Sequence, residues 1–137
     1  MIVYLDASVL LRVVLGQRNR LAQWRDVRVG VASALTEVEC LRTLDRLRLH
    51  GVAADEIAVR REAVHRVMER IELVEPTLVV LRRAAQPMPV PVGTLDAIHL
   101  ATALLWRETR DDDLVLATHD KALALAARAS GLHVIGT

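Results

Sequence analysis

Four acids, Asp6, Glu39, Asp96 and Asp120, are the residues of this sequence whose type and setting could do chemistry together. Asp6 interrupts "VYLDASVLL", Val3 to Leu11, in which six of nine residues are apolar. A lone carboxylate buried there is costly unless something pairs with it. Asp96 sits in "LDAIHLATA", apolar and alanine-rich like a helix packed tightly on a sheet, so it too is partly shielded from water. Carboxylates gathered in one place raise one another's pKa and repel. A divalent cation removes that cost, and an all-oxygen cluster suits Mg²⁺ or Mn²⁺ rather than zinc. Such an ion activates water with no nucleophilic side chain, and none stands out here.

Each acid also has a local explanation. "TEVE", Thr36 to Glu39, reads as a capping box, unless the helix starts at Ser33 and leaves Glu39 too deep to cap. Asp96 near a helix start suits the helix dipole, and Asp120 suits an N-cap. Thr118 could supply a hydroxyl to whatever the acids bind. Whether they act jointly depends on the elements that carry them.

Those elements alternate. "MIVYLD" reads as a buried strand, followed by a helix from about Ala7 to Leu15 that Gly16 ends. "RNRLAQWRDV" reads as a short helix, "VRVGVAS" as a strand, and "SALTEVECLRTLDRLRLHG" as a helix capped by Ser33 or Thr36 and followed by Gly51. A helical wheel sets Leu41, Leu44 and Leu47 opposite Glu39, Arg42 and Arg46, with Glu37 turned away from Glu39. "AADEIAVRREAVHRVMERI" carries one stripe of Ile57, Val64, Met68 and Ile71. "ELVEP" reads as a strand, with Pro76 in the first turn of the next helix. "QPMPVPVG" is a loop, and "TLDAIHLATALLWRE" a helix capped by Thr94. "LVLATHD" is a buried strand, "KALALAARASG" a helix closed by Gly131, and "LHVIG" a last strand. The alternation predicts an α/β fold, a three-layer sandwich with a central parallel sheet. In such sheets the site lies at the carboxyl ends of the strands, where Asp6 and Asp120 would both project.

Composition narrows the function classes. The 137 residues are expected to form one domain, 1–137, and 53% hydrophobic content supports a substantial core rather than disorder. That content is aliphatic: there is no Phe, and Tyr4, Trp24 and Trp106 are the only aromatics, too few to read single-stranded bases by stacking. One cysteine, Cys40, excludes an internal disulfide framework and a Cys-based zinc site. No basic leader precedes an apolar region and no apolar run is long enough to span a bilayer, so a cytoplasmic location without membrane contact is expected. Lys and Arg total 18, with Lys121 the one lysine, for a net charge of +1. Arginine's fork suits phosphate groups, although these arginines alternate with acids as on solvated helix faces.

"LDAS", "SALTEVECLRTL", "LDAIHLATA" and "LATHDKAL" together resemble the four acidic motifs of the PIN-domain ribonucleases, and more narrowly the VapC-type toxins of bacterial toxin–antitoxin pairs. The resemblance spans nearly the whole chain, in the family's order. It implies a PIN-like fold and a Mg²⁺-dependent endoribonuclease, Mn²⁺ also serving, with Asp6, Glu39, Asp96 and Asp120 as metal-binding acids. Ser8 and Thr118 match the hydroxyl positions beside the first and last acids, and Arg42 the usual basic position. Cleavage would leave a 5′-phosphate and a 3′-hydroxyl. The substrate would be structured RNA, a tRNA or rRNA loop, and the partners a VapB-type antitoxin and a second copy of the chain in a homodimer. With stacking aromatics absent, RNA contact falls to arginine–phosphate pairs, with Arg12, Arg42 and Arg46 as the first candidates. Asp6→Asn or Asp96→Asn is expected to abolish cleavage with little loss of stability.

Two other classes remain open at this level: a non-catalytic PIN-like module that binds RNA or protein, and a Mg²⁺-dependent phosphotransfer domain. The latter wants paired acids after the first strand or Asp-x-Asp, and "LDAS" offers neither. Asp111, Asp112 and Asp113 read as a solvated turn at the opposite edge, Cys40 as core, and His119 as a loop histidine without an assigned role. The stripe on 53–71 reads first as a packing face.

Overall fold

Five short stretches rich in Val, Ile, Leu and Ala pair side by side in the computed structural model, which describes residues Met1–Thr137. They are β1 (Ile2–Leu5), β2 (Val29–Ser33), β3 (Glu72–Val74), β4 (Leu114–Ala117) and β5 (His133–Ile135). All neighbours run parallel, in the order β3-β2-β1-β4-β5. Parallel strands need crossovers. Those crossovers carry α1 (Ala7–Val14), α2 (Leu35–Arg46), α3 (Ala54–Met68), α4 (Leu78–Ala84), α5 (Thr94–Arg110) and α6 (Lys121–Ala129).

Alternation along β1 sends Val3 and Leu5 to one face and Tyr4 to the other. Val3 and Leu5 pack against Val9, Leu10, Cys40, Leu44, Val64 and Met68 of α1, α2 and α3. Tyr4 packs with Leu100, Ala103, Trp106, Leu123 and Ala126 of α5 and α6. The expected three-layer α/β sandwich is therefore the observed architecture, with α4 packed outside α5 through Val80, Ile98 and Ala101. A fully buried leucine such as Leu44 contributes about 1.5–3 kcal/mol.

β1 lies between β2 and β4, with Leu5 in register with Ala117. The chain leaves β1 toward β2 and β3, then returns on the other side to β4 and β5. At such a reversal the connections beyond the carboxyl ends diverge and leave a crevice. The first and last acids flank it.

Several boundaries differ from the sequence reading. The 18–27 stretch forms only a 3-10 turn, Ala22–Asp26, preceded by the buried anchor Leu21 and lacking a side-chain cap. Ala34, not Ser33 or Thr36, is the N-cap of α2; Ser33 Oγ still accepts from the Leu35 N–H at 3.2 Å, and Thr36 is buried inside the helix. After Arg46 the helix tightens into a 3-10 turn, Leu47–His50, closed by Gly51 at φ 78°. Pro76 precedes the cap of α4, because Thr77 Oγ1 accepts from the Val80 N–H at 3.4 Å. Thr94 is the first residue of α5 rather than its cap, which is Gly93, extended at φ −68°.

Candidate active site

Asp6 ends β1 and starts α1. Its N–H donates to the Ala117 carbonyl at 3.1 Å, closing the ladder, and its extended backbone makes it the N-cap. Oδ1 accepts from the Ala7 N–H at 2.8 Å, while Oδ2 accepts the hydroxyls of Ser8 at 2.6 Å and Thr118 at 2.9 Å. These bonds satisfy a carboxylate that is only 6% exposed.

Ser8 Oγ in turn accepts from the His119 N–H at 3.0 Å, and Thr118 Oγ1 from the Asp120 N–H at 3.0 Å. The two hydroxyls thus tie the β1–α1 turn to the β4–α6 turn. Thr118 is fully buried in that role, so its hydroxyl serves Asp6 and not a bound molecule. Asp120 caps α6, Oδ1 accepting from the Leu123 N–H at 2.9 Å. The N-cap role holds, and the exposed residue still borders the crevice.

Glu39 is the fifth residue of α2, too deep to complete a capping box. It faces the same crevice, while Glu37 turns to His65 Nδ1 at 3.3 Å, as the helical wheel requires. Asp96 lies in the first turn of α5. All four acids, together with Ser8, Arg42 and Arg46, line one cleft of about 500 Å³ at the carboxyl edge of the sheet.

Asp96 registers the crowding. Its carboxyl is held above the usual range by desolvation first, then by the charges of Asp120, Asp6 and Glu39, with His99 opposing. As the side chains stand, no three of the acids close on a point that could hold a metal ion. Asp6, Glu39 and Asp120 each bond to a partner within the protein. The donor set fits a hard divalent cation in oxygen chemistry and in charge. A Cys-based zinc site does not fit, since Cys40 is buried in the core.

The arginines divide. Arg42 and Arg46 stand at the cleft, Arg42 bonded to Asp45 at 3.1 Å and Arg46 to Thr43 Oγ1 at 3.2 Å. Arg12 does not line it; its guanidinium donates to the Asn19 carbonyl at 3.2 Å. The 111–113 acids are exposed ahead of β4, at the other edge of the sheet. Ile57, Val64 and Met68 are buried, so the stripe on α3 is a packing face. His119 Nδ1 donates to the Gly136 carbonyl at 2.7 Å and its Nε2 is buried without a partner.

One residue at this site lies outside the sequence expectations. His99, one turn after Asp96 on α5, is 1% exposed, with Nε2 2.5 Å from Glu39 Oε1 and Nδ1 2.8 Å from the Tyr4 hydroxyl. Burial alone would lower its pKa; the bond to Glu39 and the charges of Glu39, Asp6 and Asp96 outweigh that, and the net shift is upward. The signal in the sequence was a histidine three residues after an acid in an otherwise apolar helix, which must find polar partners when buried.

Comparisons with known proteins bear on the family and the fold. Residues 3–129 match the PIN domain family. The chain is 32% identical to Ribonuclease VapC35 of Mycobacterium tuberculosis (strain CDC 1551 / Oshkosh) over 138 residues, covering 97% of this chain and 95% of that protein. It is 31% identical to Ribonuclease VapC46 of Mycobacterium tuberculosis (strain ATCC 25618 / H37Rv) over 136 residues, with the same shares covered. In fold it is similar to the crystal structure of VapBC2 from Rickettsia felis bound to a DNA fragment from its promoter, with TM-score 0.67, 11% identity, and 98% of this chain and 97% of that one covered. With its motifs, its sheet and its sequence relatives in accord, the chain belongs to the PIN-domain family.

Proposed function

We propose that this protein is a metal-dependent endoribonuclease, the toxin of a VapBC-type toxin–antitoxin pair. The observation that carries the reading is the convergence of Asp6, Glu39, Asp96 and Asp120, from four separate segments, on one cleft at the sheet's topological switch. The relatives named ribonucleases supply the reaction class, and the VapBC2 complex supplies the kind of partner.

The four acids are the residues that would hold Mg²⁺, or Mn²⁺ in its place. When bound, the ion supplies positive charge for the phosphorane-like transition state and a lowered pKa for water. The chain supplies the rest. Asp6, clamped by Ser8 and Thr118, holds a fixed carboxylate at the end of β1. Arg42 and Arg46 border the cleft where a phosphate of the substrate would lie, and their forks pair with it in two parallel bonds. Arg12 would contact RNA beyond the cleft.

Structured RNA, a tRNA or an rRNA loop, is the proposed substrate, read by shape and phosphate contacts. The products are a 5′-phosphate and a 3′-hydroxyl. A VapB-type antitoxin and a second copy of the chain are the proposed partners, in the cytoplasm, and no helix is long and apolar enough to cross a membrane.

The test is incubation of the purified, partner-free protein with total cellular RNA in Mg²⁺, Mn²⁺ or EDTA, followed by end-mapping. Discrete fragments with 5′-phosphates, absent in EDTA and restored by added metal, are expected. Folded protein that binds RNA and leaves it whole in both metals would favour the non-catalytic module.

A further inference from the structure

The bonds around His99 form a directed chain across the sheet edge. The Ser33 N–H at the end of β2 donates to the Tyr4 hydroxyl oxygen at 3.2 Å. Tyr4 is fully buried at the centre of the sheet, where its hydroxyl keeps its proton, and its partner at 2.8 Å is His99 Nδ1. In the neutral imidazole with Tyr4 donating to Nδ1, the ring hydrogen resides on Nε2, which then donates to Glu39 Oε1 at 2.5 Å. Tyr4 and His99 belong to the α5–α6 side of the sheet, whereas Glu39 is on α2, in the opposite helical layer.

From this we infer that His99 is a positioning residue for the cleft: it holds Glu39 toward the other three acids, and Tyr4 fixes which nitrogen of His99 faces the glutamate. The inference rests on the metal-binding reading of the four acids. Glu39, the longest of the four acidic side chains, is the one this device reaches. Asp6 and Asp120 are held by backbone N–H groups of their own helices, but Glu39 reaches out on a longer side chain, 25% exposed, from the second turn of α2. Without a donor on α5 that carboxylate is free to sample other rotamers, and a ligand set loses its pre-arrangement. The single bond from Nε2 leaves the second oxygen of Glu39 available to the cleft.

Three variants separate positioning from core packing. His99→Leu fills a similar volume without a donor. His99→Gln places an amide nitrogen where Nε2 stood. Tyr4→Phe keeps the ring and removes the hydroxyl at Nδ1. The probe is Mn²⁺ alone, titrated by calorimetry into full-length protein whose fold is checked by circular dichroism, with RNA cleavage measured in parallel. His99→Leu is expected to weaken Mn²⁺ about 10–100-fold. His99→Gln should recover most of that loss, and Tyr4→Phe should fall between them. Nitrogen NMR of the wild-type imidazole gives a readout free of substitutions: the hydrogen should reside on Nε2.

Wild-type Mn²⁺ affinity in His99→Leu would overturn the positioning role while leaving the metal reading intact. Should His99→Leu fail to fold, a Tyr4→Phe affinity equal to wild type, or a bare Nε2 in the spectrum, would overturn it equally. No Mn²⁺ binding by the wild type, or binding unchanged in Glu39→Gln, would remove the metal reading itself and this inference with it.

Discussion

Asp6 and Asp96 border the same cleft, yet their surroundings predict different mutants. Desolvation first, and then crowding by three other acids, disfavours the charged form of Asp96. Asp96→Asn should reduce cleavage by about 10²-fold or more while leaving thermal stability equal or higher, since it relieves repulsion. Asp6→Asn should also stop cleavage, but the expectation of an undisturbed fold does not survive the geometry. Two hydroxyls and one N–H donate to its oxygens. An amide nitrogen facing Ser8 and Thr118 cannot accept from them, so a loss of about 1–3 kcal/mol in urea unfolding is expected.

Asp96 also sets a pH dependence. Folding raises its pKa above the usual 3.8, so the native state binds the proton more tightly than the unfolded chain does. In EDTA this contribution favours the fold below the unfolded value, and is lost as pH rises through the raised folded value. Subtracting the pH–stability profile of Asp96→Asn from that of wild type should expose a decline across that window. A difference that rises with pH would mean Asp96 is an ion-pair partner instead. At Cys40, burial and then the neighbouring acids push the thiol up to about 12. It should stay inert to thiol reagents until the protein unfolds, which a timed assay in and out of denaturant will show.

Among elements, the outcome followed how much each one depends on its neighbours. Strands and amphipathic helices were legible because period two and the leucine stripes are local signals, and the parallel sheet followed from their alternation. Caps were less legible. Thr36 and Thr94 have suitable side chains, but α2 begins before the one and α5 at the other, so neither occupies the N-cap position. Asp6 and Asp96 could be read from their apolar settings, and Glu39 and Asp120 from the family resemblance, whereas the partners of His99 could not be named, because Tyr4 and Glu39, 95 and 60 positions away, come beside it only in the packed fold. Arg12 illustrates the reverse: its type suited phosphate, and its position on α1 points it to Asn19. Gly30 gives a test at this scale. A Cβ on it would lie 2.7 Å from Ile71 Cγ2 and 2.9 Å from Leu5 Cδ1, so a side chain there would force both neighbours to shift. Gly30→Ala should lower stability by about 1–3 kcal/mol through overpacking, read by thermal melting, without changing the metal requirement of cleavage.

At the scale of the molecule, a net charge of +1 supplies little general attraction for RNA, so binding must come from arginines placed locally at the cleft. Cleavage at low substrate concentration should still weaken as salt rises, and Arg42→Ala with Arg46→Ala should flatten that dependence. The homodimer reading predicts a mass in light scattering of twice the 15.2 kDa chain. The most direct measurement of the central claim, that four acids at the sheet edge act together on RNA through a divalent cation, compares wild type with Asp96→Asn on one structured RNA in Mg²⁺ and in EDTA. Equal folding of both proteins, with metal-dependent cleavage by wild type alone, is the predicted result. Cleavage that persists in the mutant, or that ignores EDTA, would contradict it.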